Sequence, residues 1–87
     1  MSSSDNDAAS IALAALTWIL SNDSRAERYL SLTGLNPASL RTGLGDPYVL
    51  ASSLTFLVNH EVDLLCAAEA LAVTPEELIA AQRELES

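Results

Sequence analysis

The feature that most limits how this chain can fold is a pattern that recurs after 38 residues without a gap. Residues 11–45 laid on residues 49–83 put LTWILSND over LTFLVNHE and GLNPASL over AVTPEEL. Identities are few: Leu16/Leu54, Thr17/Thr55, Pro37/Pro75 and Leu40/Leu78. The matched roles carry more weight. Ile11 meets Val49, Trp18 meets Phe56, Ile19 meets Leu57, and Asp23 meets Glu61. Asn36 and Thr74 both stand before the aligned prolines, where a helix cap belongs. A fixed period of this size marks repeat architecture. Two copies are too few for an open solenoid, so the halves, about 7–45 and 46–87, are expected to close on each other.

The local signals are all helical. Residues 1–6 are polar and read as a flexible tail; residues 7–87 read as one helical domain. Helix 1 is expected from near Asp5 or Asp7 to near Ser21. Between residues 8 and 20 only Ser10 and Thr17 are not apolar, so this helix should be buried on several sides or covered by another subunit. Ser24 and Glu27 have capping-box spacing and predict the start of helix 2, with Ala26, Tyr29, Leu30 and Thr33 on one side and Gly34 as its stop. Asn36-Pro37 opens a short helix 3, ended by Gly43 and Gly45. Asp46-Pro47 opens helix 4, whose Leu50, Leu54, Leu57 and Val58 share a face. Asn59 or His60 breaks it, helix 5 follows to Leu71, and Thr74-Pro75-Glu76-Glu77 opens helix 6 with Leu78, Ile79, Ala81 and Leu85 on its apolar face. No stretch alternates as a strand would. The expected fold is all-α, a compact six-helix domain made of two three-helix repeats packed face to face.

Composition bounds the rest. Eighty-seven residues that are 49% hydrophobic can fold alone; a chain of this size buries about 60% or somewhat more of its unfolded surface. Four arginines, no lysine and twelve acids give a net charge of −8. Residues 11–48 are neutral overall, whereas residues 49–87 carry seven acids against Arg83. Phosphate backbones and anionic membranes repel such a surface, so neither nucleic acid nor membrane is an expected partner. One cysteine cannot form an internal disulfide, which fits a reducing compartment. The N-terminus has no basic stretch or cleavage site of a signal peptide. The apolar run from residue 8 to 20 falls short of the roughly 20 residues that cross a bilayer. A soluble cytoplasmic protein is the expectation.

In order and spacing, LTWILSND, LSLTGLNPASLR and DPYVLASSLTFLVNHEVDLLCAAEALAVTPEEL resemble a bacterial family of small helical proteins known as domain of unknown function 3572. Ala15, Leu16, Trp18 and Leu20 fit its first motif, and Gly34, Leu35, Pro37, Leu40 and Arg41 its second. Asp46, Pro47, Leu54, Phe56, Leu57, Pro75 and Glu76 fit the remainder, while Tyr29 stands where phenylalanine is usual. The resemblance covers roughly residues 8–86. It implies the fold and an α-proteobacterial cytoplasmic origin, and brings no substrate, cofactor or partner.

No constellation has the spacing of catalysis. Cys66 and His60 lie on different faces of any helix through both. Cys66, flanked by Leu64, Leu65, Ala67 and Ala68, reads as a small core hydrophobe, and His60 as a helix-end residue. His60, Glu61 and Asp63 splay outward rather than converge on a metal, and Glu76 and Glu77 suit the positive end of helix 6. Gly43-Leu44-Gly45 lacks the strand and third glycine of a dinucleotide loop. No enzyme activity, cofactor or metal is expected. Residues 67–85 resemble a repressor-type helix-turn-helix, but helix 6 offers base edges four glutamates against Arg83 and Gln82.

Arg25, Arg28 and Arg41 read either as surface charges paired with Asp23 and Glu27 or as a small anion patch. Trp18, Tyr29, Tyr48 and Phe56 are the only aromatics. They read as shared core, with Trp18 and Phe56 meeting near a pseudo-twofold axis, or as an apolar interface or pocket. The leading expectation is a noncatalytic protein-interaction module acting as a homodimer or with another protein. The alternatives are a small-molecule carrier whose pocket, between the repeats, is lined by leucines and Trp18, and, behind it, a helix-turn-helix nucleic-acid binder.

Overall fold

A computed structural model describes residues 7–43 and 46–86. The polar tail 1–6 and Gly45, one of the two expected terminators of helix 3, lie outside them. Among the described residues the chain forms six helices and no strand: α1 Ala8–Leu20, α2 Asp23–Thr33, α3 Pro37–Thr42, α4 Pro47–Val58, α5 Glu61–Leu71 and α6 Pro75–Glu86.

Side-chain caps set most of the starts. Asp7, Asn22, Asn36 and Asp46 each accept an amide proton from the first turn of the helix that follows. At α6 the box is reciprocal. The Glu77 amide donates to Thr74 Oγ1 at 3.1 Å, and the Thr74 amide donates to Glu77 Oε1 at 2.9 Å. Helix α2 departs from expectation. Its cap is Asn22, whose Oδ1 accepts from the Arg25 amide at 2.9 Å, and Ser24 lies inside the first turn. Asparagine caps at least as well as serine, and Asn22 captures the first turn two residues earlier.

Helices α2 and α5 end alike. Gly34 and Ala72 both turn left-handed, with φ of 75° and 59°. Gly43 closes α3 for a different reason: a Cβ there would stand 2.9 Å from both the Ser39 carbonyl and a Val49 methyl. Asn59 then ends α4, and α5 departs from it at 114°.

Helix α4 is the centre of the molecule. It buries Val49, Leu50, Ala51, Ser53, Leu54, Phe56 and Leu57, and packs most tightly against α1 and α6, which also pack on each other. Ser53, fully buried, donates to the Leu50 carbonyl at 2.7 Å and lies 3.3 Å from the Ala12 carbonyl of α1. Helix α1 presents Ile11, Ala12, Ala15, Leu16 and Ile19 to the core and leaves Leu13 exposed.

Helices α4 to α6 begin 38 or 39 residues after α1 to α3. The two halves nevertheless pack differently. Helix α6 runs for 12 residues against α1 and α4, whereas α3, its counterpart by position, runs for six and buries Leu40 alone. The core therefore forms across the boundary between the halves.

Cys66 corrects an expectation. Its thiol is exposed. Helix α5 turns Leu64, Ala67 and Ala68 inward; a position two residues from Leu64 on a helix of 3.6 residues per turn faces away from it. Val62 and Leu65 share that outer surface.

Candidate functional site: an apolar groove over α4

The residues of α4 that do not face α1 form a second stripe. Tyr48, Ala51, Ser52, Thr55, Phe56 and Asn59 follow at three- and four-residue spacing and floor an open groove of about 980 Å³. Leu32 and Thr33, at the end of α2, make one wall, and Leu85 and Glu86, at the end of α6, make the other. His60 lines the groove beside Asn59.

The floor is graded from buried to exposed. Phe56 is 4% exposed, while Leu32 and Tyr48 on the rim are 61% and 72% exposed. Behind the floor Tyr29 is fully buried, its ring edge-on to Phe56 at 5.5 Å. Its hydroxyl lies 2.8 Å from Ser52 Oγ, which itself donates to the Val49 carbonyl at 2.6 Å. Serine has one proton to give, so Tyr29 donates and Ser52 accepts. Burial pushes the Tyr29 hydroxyl above its ordinary pKa, and Tyr48 adds a small upward push.

The polar groups of the groove are largely engaged with each other. Gln82 Nε2 donates to Thr55 Oγ1 at 3.3 Å, and Thr55 donates onward to Glu86 Oε2 at 3.2 Å. The His60 ring lies 4.7 Å from the Phe56 ring, and its Nδ1 sits 2.6 Å from the Phe56 carbonyl oxygen. A carbonyl only accepts, so Nδ1 carries the proton. That contact ties His60 to the end of α4, in line with the helix-end role read from sequence. Arg28 bridges α2 and α5: its Nη2 pairs with Asp63 at 2.8 Å, and its guanidinium lies 5.6 Å from the Phe56 ring centroid.

Of the four aromatics singled out from sequence, Tyr48 and Phe56 line the groove, and Tyr29 supports it from behind. Trp18 stands apart. The Arg25 guanidinium covers its ring at 3.6 Å and donates to the Trp18 carbonyl and, at 3.1 Å, to Ser21 Oγ. The ring partners of Phe56 are Tyr29 and His60 rather than Trp18. The groove also differs from the expected pocket of leucines around Trp18, being walled by Leu32 and Leu85. Arg25 and Arg28 engage Trp18 and Asp63 instead of Asp23 and Glu27, and Arg41 is exposed at the end of α3.

Ser52 and Thr55 complete the site although the sequence reading gave neither a place in a pocket or interface. Their signal was the 48-51-52-55-56-59 spacing, a second stripe on a helix already credited with a core face. Among the described residues no three His, Cys, Asp or Glu side chains are grouped to hold a metal. No single helix among them is long and apolar enough to cross a membrane.

These features define a small all-α protein with an open, apolar, helix-floored groove. The family model for "Protein of unknown function (DUF3572)" matches residues 5–87, and the chain belongs to that family. No curated protein and no solved structure matches the chain.

Proposed function

We propose that this protein is a noncatalytic interaction module whose working surface is the α4 groove. One observation carries the reading: a concave apolar floor around Phe56 is rimmed by Leu32 and Tyr48, which remain largely in solvent. Exposing a leucine and a tyrosine beside a shared cleft has no benefit for the isolated fold, and grooves with an aromatic anchor are where partner side chains gain most on burial. The polar groups of the groove serve hydrogen bonds that hold the fold, which supports binding over chemistry. The exposed Glu76 and Glu77 at the start of α6 speak against a DNA-reading role. The volume also falls within the range of small-molecule sites, so a carrier is the second reading; the openness of the cleft favours a protein.

Photocrosslinking from position 48 in cells, against position 69 on α5 as control, tests the proposal. A discrete protein adduct from position 48 that disappears with Leu32→Asp is expected. Equal adducts from both positions, or none from position 48, refute it. A thermal-shift screen yielding a metabolite displaced by Leu32→Asp replaces it with the carrier reading.

A further inference from the structure

We infer that the occupant of the groove is an amphipathic helix of a different protein, apolar toward Phe56 and carrying a lysine or arginine opposite Glu86. This deepens the interaction-module reading and rests on it.

Shape argues for a helix. The floor spans residues 48 to 59 of one helix, about 16 Å at 1.5 Å per residue. Three turns of a second helix cover that length. Hydrogen bonding argues the same way. A docking helix satisfies its own backbone, whereas an extended peptide needs backbone partners from the site. The groove is walled and floored by helices, whose backbone groups pair within each helix. Beyond Asn59, the Tyr48 hydroxyl and His60 Nε2, its side chains have few partners to offer. Ser52 is bonded to Tyr29 and Val49, Thr55 to Gln82 and Glu86, and His60 Nδ1 to the Phe56 carbonyl. Leu32, Tyr48, Phe56 and Leu85 remain, and they suit leucine-like side chains at helical spacing.

Charge selects the partner. Among the described lining residues Glu86 is the one carboxylate, and the chain as a whole carries −8. A second copy is a poor source of the matching cation. It has no lysine, its Arg25 is held over Trp18, and its Arg28 is paired with Asp63. Of its other two arginines, both exposed, Arg41 lies on α3, too short at six residues to supply three turns, and Arg83 stands beside Glu84 and Glu86 on α6. Two copies meeting here would also bring two strongly acidic surfaces together. A basic amphipathic helix from another chain meets both conditions, and its positive face would speed encounter at low salt.

The test is selection from displayed amphipathic helices, half with basic and half with acidic polar faces, against the full-length chain. Binders are then measured on Leu32→Asp/Tyr48→Asp and on Glu86→Lys. All three positions are exposed, and circular dichroism checks that each variant keeps its helices. Basic-faced binders that lose about tenfold or more in affinity on Leu32→Asp/Tyr48→Asp are expected. They should also weaken on Glu86→Lys and recover there when the peptide's basic residue is exchanged for glutamate. Groove-dependent binders with neutral or acidic faces, or no recovery on exchange, overturn the inference and leave the interaction reading standing. Binders indifferent to Leu32→Asp/Tyr48→Asp, or no binders, overturn both. Dimerisation of the chain through this groove, lost with the same double substitution, also overturns the inference.

Discussion

Gly34 and Ala72, 38 residues apart, end α2 and α5 in the same left-handed backbone conformation, yet only one of them is a glycine. Each amide bonds back into its helix, Gly34 to the Leu30 carbonyl and Ala72 to those of Ala68 and Glu69. A left-handed residue with a Cβ costs roughly 1–2 kcal/mol. Ala72→Gly is therefore expected to stabilise the protein by about 0.5–1 kcal/mol, allowing for glycine's greater freedom when unfolded. Gly34→Ala should destabilise by about 1 kcal/mol through conformation alone, because a Cβ there meets nothing within 4 Å. Urea midpoints read both. A lower midpoint for Ala72→Gly would contradict the assignment.

Tyr29 makes alkaline stability a probe of the groove's foundation. Burial raises its pKa in the folded state, so the folded chain holds the phenolic proton to higher pH than the unfolded chain. The associated stability is complete below the ordinary value of about 10 and is lost as pH rises beyond it. Tyr29→Phe should lose about 0.5–1.5 kcal/mol near neutrality, from the missing bond to Ser52, and then decline less steeply above pH ~10. Parallel decline of the two proteins by thermal melting would show that Tyr29 does not titrate in this way.

The cap of α2 separates Asn22 from Ser24. Asn22→Ala should cost about 1 kcal/mol, because the Arg25 amide loses its acceptor. Ser24→Ala, at an exposed position within the first turn, should stay within about 0.5 kcal/mol. Reversal of that order in chemical denaturation would return the cap to Ser24.

Cys66 should be modified by a maleimide or an aromatic disulfide in the native protein, at a rate that changes little when denaturant is added. Its exposure on the outer side of α5 requires this. Modification that waits for global unfolding would mean that α5 is rotated about its axis.

Phe56 supports both fold and groove. Phe56→Ala should cost about 3–5 kcal/mol, since the ring is buried against Tyr29 and His60. Tyr48→Ala, at the exposed rim, should leave stability within about 0.5 kcal/mol while removing partner binding. Calorimetry beside a binding assay distinguishes the two roles.

Apart from the start of α2, where Asn22 caps ahead of Ser24, the helix limits were legible because their causes are local. Asn36-Pro37, Asp46-Pro47 and Thr74-Pro75 each join a capping side chain to a residue that fits the first turn. What escaped depends on how a finished helix is rotated. Cys66 has apolar neighbours on both sides in sequence, but only the 64-67-68 side of α5 meets the core. Trp18 is the largest aromatic, yet it lies outside the groove, with Arg25, reaching back from the next helix, over its ring. Tyr48 and Phe56 were visible as candidates. Their walls, Leu32 and Leu85, come from the ends of α2 and α6, whose positions across α4 no short-range pattern encodes.

Helix α4 has one side in the core and the other beneath the groove, and that arrangement ties recognition to resilience. Whatever settles on the outer side clamps the rod on which α1 and α6 rest, so occupancy should register throughout the molecule as slower amide exchange and a later melt. The same wedge leaves this helix little room to drift: adapting it to a new visitor would tax the scaffold at once.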